Sequence, residues 1–199
     1  ICAPIHAYAD KDLLLDELRA QLDATGRPRP QALVIGAKGR VGTGAADLLV
    51  TLGVPVTRWD MAETAHGGPF PEVLAHDLFI NAILAQPGAP VFVPASAVAP
   101  GRRLTVIGDV ACDPTSDFSP IKVYDRTTSW DQPVLRVAEQ PPLDVMAIDN
   151  LPSMLPRDSS EDYAAQLLPV LMQLDRIDEG PWGRAGALFR DHRDRLTQT

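Results

Sequence analysis

The chain has 199 residues, 45% hydrophobic and 22% charged, a globular composition able to bury a sizeable core in one domain or slightly more. Eighteen Lys and Arg stand against 26 Asp and Glu, and the net charge of −8 disfavours nucleic acid and anionic membrane as partners. No apolar run approaches the roughly 20 residues that cross a bilayer, and two cysteines, Cys2 and Cys112, without a C-x-x-C pair, indicate a reducing, cytoplasmic compartment rather than a disulfide framework. The opening Ile1-Cys2-Ala3-Pro4 lacks Met and does not resemble a signal peptide; it reads as a chain entered in its middle.

Asp10 to Thr25 predicts an amphipathic helix with a leucine stripe and Asp10 as N-cap, stopped by Gly26 and two prolines. Residues 31–36 form a short branched-rich run, expected as a strand buried on both faces. A glycine-rich turn over Gly36–Gly44 leads into a helix at 41–52, and 55–59 gives a second strand closing on Asp60. A loop around Gly67-Gly68-Pro69 follows, then a third strand at 77–82. Residues 85–101 read as loop with a short helix, and 104–107 as a fourth strand ending in Gly108-Asp109. Two weaker strands are expected at 134–137 and 145–148. The last stretch is helical: Ser159 or Ser160 caps a segment from Glu161 to Leu174, bent near Pro169, and a charged helix runs from about 181 to 196. Strands alternating with helices imply a doubly wound parallel α/β sheet, whose ligand lies at the carboxyl ends of the strands.

The run Gly36-Ala37-Lys38-Gly39-Arg40-Val41-Gly42-Thr43-Gly44 sits between a strand and a helix. A dinucleotide pyrophosphate needs backbone without side chains at that place, with helix N–H groups and a positive dipole end facing it. The spacing is G-x-x-G-x-x-G, and no Lys-Ser/Thr completes a phosphate loop of the nucleoside-triphosphate kind. Asp60 ends the next strand, about 20 residues on, where a carboxylate can hold both adenosine ribose hydroxyls and repel a 2′-phosphate. NAD is therefore expected over NADP; the competing role for Asp60 is a turn or helix cap.

Several segments together resemble the NAD-dependent, lysine-forming saccharopine dehydrogenase family: Val34 to Ala45, Trp59-Asp60 with Glu63-Thr64, Gly67 to Phe70, Asp77 to Asn81, Asp109-Val110 with Asp113-Pro114, and Ile148 to Ser153 with Leu155-Pro156-Arg157. The resemblance runs from about Arg29 to Leu196. It implies a Rossmann-like NAD-binding domain over 29–151, a leading segment and helix over 1–28, and C-terminal helices over 152–199 that return to a first domain outside these residues. That first domain would carry the acid–base lysine and histidine, so no catalytic residue is assigned here. The activity implied is oxidative cleavage of saccharopine, by NAD, to lysine and 2-oxoglutarate. By the same resemblance, Gly36, Gly39, Arg40 and Gly42 face the pyrophosphate, Asp60 and Thr64 the adenosine, and Leu84 and Val110 line the pocket. Ile148, Asp149, Asn150 and Leu151 would approach the nicotinamide, and Ala111, Cys112 and Asp113 the substrate. Asn150 stands where fungal members carry histidine, and Val41 and Ala82 stand where some carry cysteines, which excludes a regulatory disulfide between those points. Two alternatives stay open: a stand-alone nucleotide-binding or regulatory module, and a related opine- or alanine-type dehydrogenase.

Other candidates are weaker. Asp109, Asp113 and Asp117 match no calcium-loop pattern and read as solvated loop or cleft residues. Cys112 has no identifiable His or Asn partner. His66 and His76 lack a third ligand for zinc, and His6 reads as a surface residue. Arg184, Arg190, Arg193 and Arg195 alternate with Asp191 and Asp194, the pattern of a charge-paired solvated helix.

Overall fold

The apolar run at Ala32–Ile35 forms β1, with all four residues buried, as a strand covered on both faces requires. In this computed structural model, which describes residues 2–196, β1 lies between β2 (Val56–Trp59) and β3 (Leu78–Asn81), parallel to both. The sheet continues through β4 (Val106–Asp109) to the hairpin β5 (Leu135–Glu139) and β6 (Pro142–Met146), in the order β2-β1-β3-β4-β6-β5. The expected parallel α/β sheet is present, with one departure: the two weaker strands pair antiparallel, placing β5 at the edge. Their connection is too short for a parallel crossover, which needs a dozen residues or more.

Helix α1 (Lys11–Ala24) begins where Asp10 Oδ1 accepts from the Leu13 amide at 2.9 Å, and α2 (Arg40–Thr51) follows the glycine turn. Two short helices, α3 (Met61–Thr64) and α4 (Pro71–Ala75), occupy what the sequence reads as loop. Each is too brief to show a helical period, so only capping chemistry announces it. Phe70, Phe79 and Phe92 meet edge to face inside the main core, with Leu33, Ile35, Ile107 and Val145. Leu15 of α1 packs with Ala32, Leu52 and Val54 in a second cluster. Burying such side chains contributes roughly 1.5–3 kcal/mol each.

Arg102 is the tie between the β3–β4 connection and the hairpin. Its guanidinium is buried and donates to the carbonyls of Ala97, Leu104, Pro141 and Pro142, with no carboxylate among these partners. Arg102→Met fills much of the volume yet orphans those carbonyls, so we expect a loss of about 2–4 kcal/mol, since buried unsatisfied acceptors cost about 1–3 kcal/mol each. Thermal unfolding against the unmodified protein reads it; an unchanged midpoint would mean that the four bonds contribute nothing.

The chain divides into two compact units, Ile1–Met154 and Leu155–Thr199. The second contains α5 (Pro156–Leu171) and α6 (Gly180–Leu196). Helix α5 starts earlier than Ser159 or Ser160 as caps would place it, because Pro156 takes a first-turn position where a missing N–H costs nothing. Ser160 Oγ instead donates back to the Pro156 carbonyl at 2.7 Å. Pro169 lies inside the helix, and Trp182 Nε1 donates to the Val170 carbonyl at 2.8 Å. The charge pairing expected for the last helix is present in Arg195–Asp191 and Arg193–Asp194, both at 2.7 Å. None of the described residues of this unit is buried. Among the described residues, no helix is long and apolar enough to cross a membrane.

Candidate functional site

Parallel pairing lines up the strand ends. Trp59, Ile35, Asn81 and Asp109 stand in register at the carboxyl edge of β2, β1, β3 and β4. The next residue of each strand is therefore Asp60, Gly36, Ala82 or Val110, four neighbours drawn from segments far apart in the chain. The winding reverses between β1 and β3, so a crevice opens there.

Gly36 leaves β1 with φ 87°, the left-handed region that favours glycine. Its amide and that of Ala37 both donate to the Trp59 carbonyl at 3.0 Å, drawing the turn against the end of β2. A Cβ on Gly36 would lie 2.6 Å from the Ala82 carbonyl oxygen, and one on Gly42 only 2.1 Å from that of Gly36. The loop and first turn of α2 are thus packed backbone on backbone. Gly39 is less confined: its φ is −73° and an added Cβ would stand 3.3 Å from Gly36 O. At Gly44 an added Cβ would meet nothing within 4 Å, so that glycine is not demanded by packing.

Asp60 closes the loop from outside. One carboxylate oxygen accepts from the Lys38 amide and the other from Met61, each at 2.9 Å, while the Asp60 amide donates to Glu63 at 2.7 Å. This is a capping box on α3, and it gives Asp60 the cap role that the sequence left as its alternative. The Lys38 and Met61 donors hold the Asp60 carboxyl below its ordinary value. Thr64 Oγ1 donates to the Asp60 carbonyl at 3.0 Å.

Two cavities flank this arrangement. The larger, about 630 Å³, is bounded by Ile35, Asp60, Met61, Thr64, Leu84 and Phe92, with the 86–90 loop over it. The smaller, about 360 Å³, is lined by Val41, Ala82, Ile83, Leu84, Val110 and Ala111. Ile83 and Leu84 separate the two, and Leu84 is 84% exposed. Gly36, Gly39, Arg40 and Gly42 make the turn, Thr64 and Leu84 join Asp60 in the larger cavity, and Val110 and Ala111 belong to the smaller.

Beyond Val110 the chain turns sharply at Cys112, whose φ of 55° is unusual for a residue with a side chain. Burial, with Asp109, Asp149 and Asp113 nearby, pushes the Cys112 thiol up to about 11. Ile148 is buried. Asn150 is exposed and its Oδ1 accepts from Trp130 Nε1 at 2.9 Å; Leu151 opens a short 3-10 turn over Leu151–Met154.

Asp109 itself is not the solvated residue expected from its spacing with Asp113 and Asp117. It is 1% exposed and holds Asn81 and Tyr124, two residues that sequence patterns did not single out. Asp113 and Asp117 are exposed. The β4 pleat explains the difference, since it turns Asp109 inward with Ile107. His76 is engaged with Thr57 and the Glu72 carbonyl, and His66 lies edge-on against Phe70. His6 stacks on Tyr8.

Residues 71–185 match the alanine dehydrogenase/PNT C-terminal domain. The chain belongs to this family. Among its relatives is the NAD+, L-lysine-forming saccharopine dehydrogenase of Neurospora crassa, 40% identical over 93% of this chain and 53% of that protein. Those of Candida albicans (43% identical; 90% and 49% covered) and Yarrowia lipolytica (42%; 94% and 54%) are similar to the same degree. The chain spans about half the length of these curated relatives.

Proposed function

We propose that this chain is the NAD-binding part of a cytoplasmic saccharopine dehydrogenase, acting on saccharopine or, in reverse, on lysine plus 2-oxoglutarate. The observation that carries the reading is the glycine turn at the switch point, too tight for a Cβ at Gly36 or Gly42 and tied through Lys38 to the carboxylate ending β2. The names of the relatives point the same way.

These residues fit a dinucleotide. A helix N-terminus leaves first-turn N–H groups without intrahelical partners and carries a positive dipole end, so α2 with Gly39 and Arg40 suits the pyrophosphate. The Asp60 carboxylate accepts the Lys38 and Met61 amides and, in the capping box, that of Glu63, and of its roughly four lone-pair sites it keeps room to take a ribose hydroxyl. Thr64, Leu84 and Val110 would close around the adenosine and the bridge. The stretch Ile148, Asp149, Asn150 and Leu151 would border the nicotinamide, and Ala111, Cys112 and Asp113 the amino-acid side. NAD, when bound, supplies the ring that accepts the hydride. Cys112, with its raised thiol, remains protonated near neutrality and serves as wall rather than nucleophile. No residue here takes the acid–base role, which we assign to groups beyond these residues. Its ligands are small molecules; with this acidic balance, neither nucleic acid nor membrane is a partner.

The test pairs calorimetric titration with NADH and steady-state assays using saccharopine and NAD, or lysine, 2-oxoglutarate and NADH. We expect residues 1–199 to bind NADH yet show no turnover, because positioning and acid–base terms of about 10² and 10²–10⁴ are lost together. Robust turnover by these residues alone would overturn the division of labour, and Asp113, Asp149 and Asn150 would be the first to replace. Preference for pyruvate or glyoxylate over 2-oxoglutarate in the full protein would favour an alanine- or opine-type enzyme, in keeping with the family's name.

A further inference from the structure

At the carboxyl ends of β3 and β4 three polar side chains are buried together: Asn81 (0% exposed), Asp109 (1%) and Tyr124 (8%). Asp109 Oδ1 accepts from Asn81 Nδ2 at 2.9 Å and from the amides of Ala111 and Cys112 at 3.2 and 3.4 Å. Its Oδ2 accepts from the Tyr124 hydroxyl at 2.5 Å. All four donors are neutral. Burying a carboxylate among neutral groups is costly, and apolar residues of similar volume would hold two strand ends together as well or better. The charge must therefore be explained by what it holds.

What it holds is the turn Val110–Cys112. The Val110 amide donates to the Asn81 carbonyl at 3.0 Å, the next two amides reach the Asp109 carboxylate, and Cys112 is kept in the left-handed region. A residue there is strained and persists where its surroundings over-determine it. Val110 and Ala111 are also a wall of the smaller cavity. Asn81 Oδ1 is buried with no donor, a further sign that this group of residues is set by something other than strand pairing.

We infer that Asp109, gripped by Asn81 and Tyr124, is a positioning residue: it shapes the Val110–Cys112 turn and so fixes one wall of the cleft. Asp109 is too buried to touch a ligand and acts through the amides of Ala111 and Cys112. The inference rests on the dinucleotide reading for its ligand, but the shape of the turn can be read without one.

The experiment uses the full protein with Cys2→Ser, so that Cys112 is the remaining cysteine of these residues, and adds Asp109→Asn or Tyr124→Phe. Two quantities are followed: NADH affinity, and the pH profile of Cys112 alkylation by iodoacetamide. The titratable groups near the Cys112 thiol are Asp109, Asp113, Asp149 and the Tyr124 hydroxyl. Removing the Asp109 charge should move the alkylation profile to lower pH. Either variant should weaken NADH binding about tenfold, the scale of one lost buried partner. Arg102→Met is the control for mere loss of stability: it should lower the unfolding midpoint while leaving the profile and the affinity alone. Should Asp109→Asn fail to fold, Tyr124→Phe decides, since it deletes one hydroxyl and keeps the ring; it should raise the alkylation rate by freeing the turn. Folded variants with unchanged affinity and unchanged alkylation overturn the inference. If the unmodified protein does not bind NADH, the dinucleotide reading falls, and the positioning role stands or falls on the Cys112 profile.

Discussion

Gly42→Ala should remove NADH binding and destabilise the first unit, whereas Gly44→Ala, two residues on in the same helix, should stabilise it. The contrast isolates packing from helix propensity. Alanine is favoured over glycine in a helix interior by about 1 kcal/mol, and both positions gain that term. At Gly44 nothing opposes it, so a gain of about 0.5–1 kcal/mol is expected. At Gly42 the new methyl would lie 2.1 Å from Gly36 O and 2.6 Å from Gly36 C, both backbone atoms of the turn itself. No side chain can move aside, so α2 must lift away from β1. Forcing a methyl group into packed structure costs about 1–3 kcal/mol, and each kcal/mol moves the midpoint of a domain this size by roughly 2–4 °C. The loss of affinity should be larger than the loss of stability, because displacing α2 misdirects the first-turn amides. Gly39→Val should widen that gap: the added Cβ meets Gly36 O at 3.3 Å and valine is a poorer N-cap than glycine, so the midpoint falls slightly, while the branched side chain stands where the pyrophosphate would approach and affinity falls far more. Differential scanning calorimetry and NADH titration on the three variants separate these effects. Equal behaviour of Gly42→Ala and Gly44→Ala would show that backbone contact at the turn is unimportant.

That contrast also marks how far the sequence could be read. Strands and long helices were legible because burial imposes periodicity: the 32–35 run is apolar throughout, and the leucines of α1 recur at helical spacing. The glycine turn was legible as a pattern, but not which glycines are required; Gly42 and Gly44 look alike in one dimension and differ only in what a Cβ would meet. α3 and α4 were missed because helices of four and five residues carry no period. The antiparallel hairpin was hidden for a different reason, since strand direction depends on the length of a connection whose ends were uncertain. The joining of Asn81, Asp109 and Tyr124 into one buried group is not legible from spacing. Its members are 28 and 15 residues apart and meet only through parallel register and the inward pleat at Asp109. One signal was available: Asp109 and Asn81 both close apolar strands, a position where a polar residue must either face solvent or find a partner.

Changing Asp60 to Ser and Met61 to Arg should invert the cofactor preference. Asp60 does two things that the double change separates. As N-cap of α3 it accepts from Met61, and serine can take over that bond, since it ranks with aspartate as a cap. As a carboxylate it also reaches Lys38 and keeps lone pairs for ribose hydroxyls, and a serine hydroxyl cannot do both. Hydrogen bonds to a charged group are worth about 1.5–3 kcal/mol, so NADH affinity should fall by roughly tenfold to a hundredfold. Met61 is 82% exposed and borders the larger cavity beside Asp60, so an arginine there can meet a 2′-phosphate that the native carboxylate repels. NADPH should then bind better than NADH. The native protein should also lose loop closure in acid. Lys38 and Met61 hold the Asp60 carboxyl below its ordinary value of 3.8, so its contribution to stability is complete above that pH and is lost as pH falls through the depressed folded value. Unfolding followed down through pH 3.8 should show this limb in the native protein and a shallower one in the double variant. Titrations with NADH and NADPH at neutral pH give the decisive reading: similar affinities for both in the unmodified protein would remove Asp60 from ribose recognition and leave it as the clasp of the glycine turn.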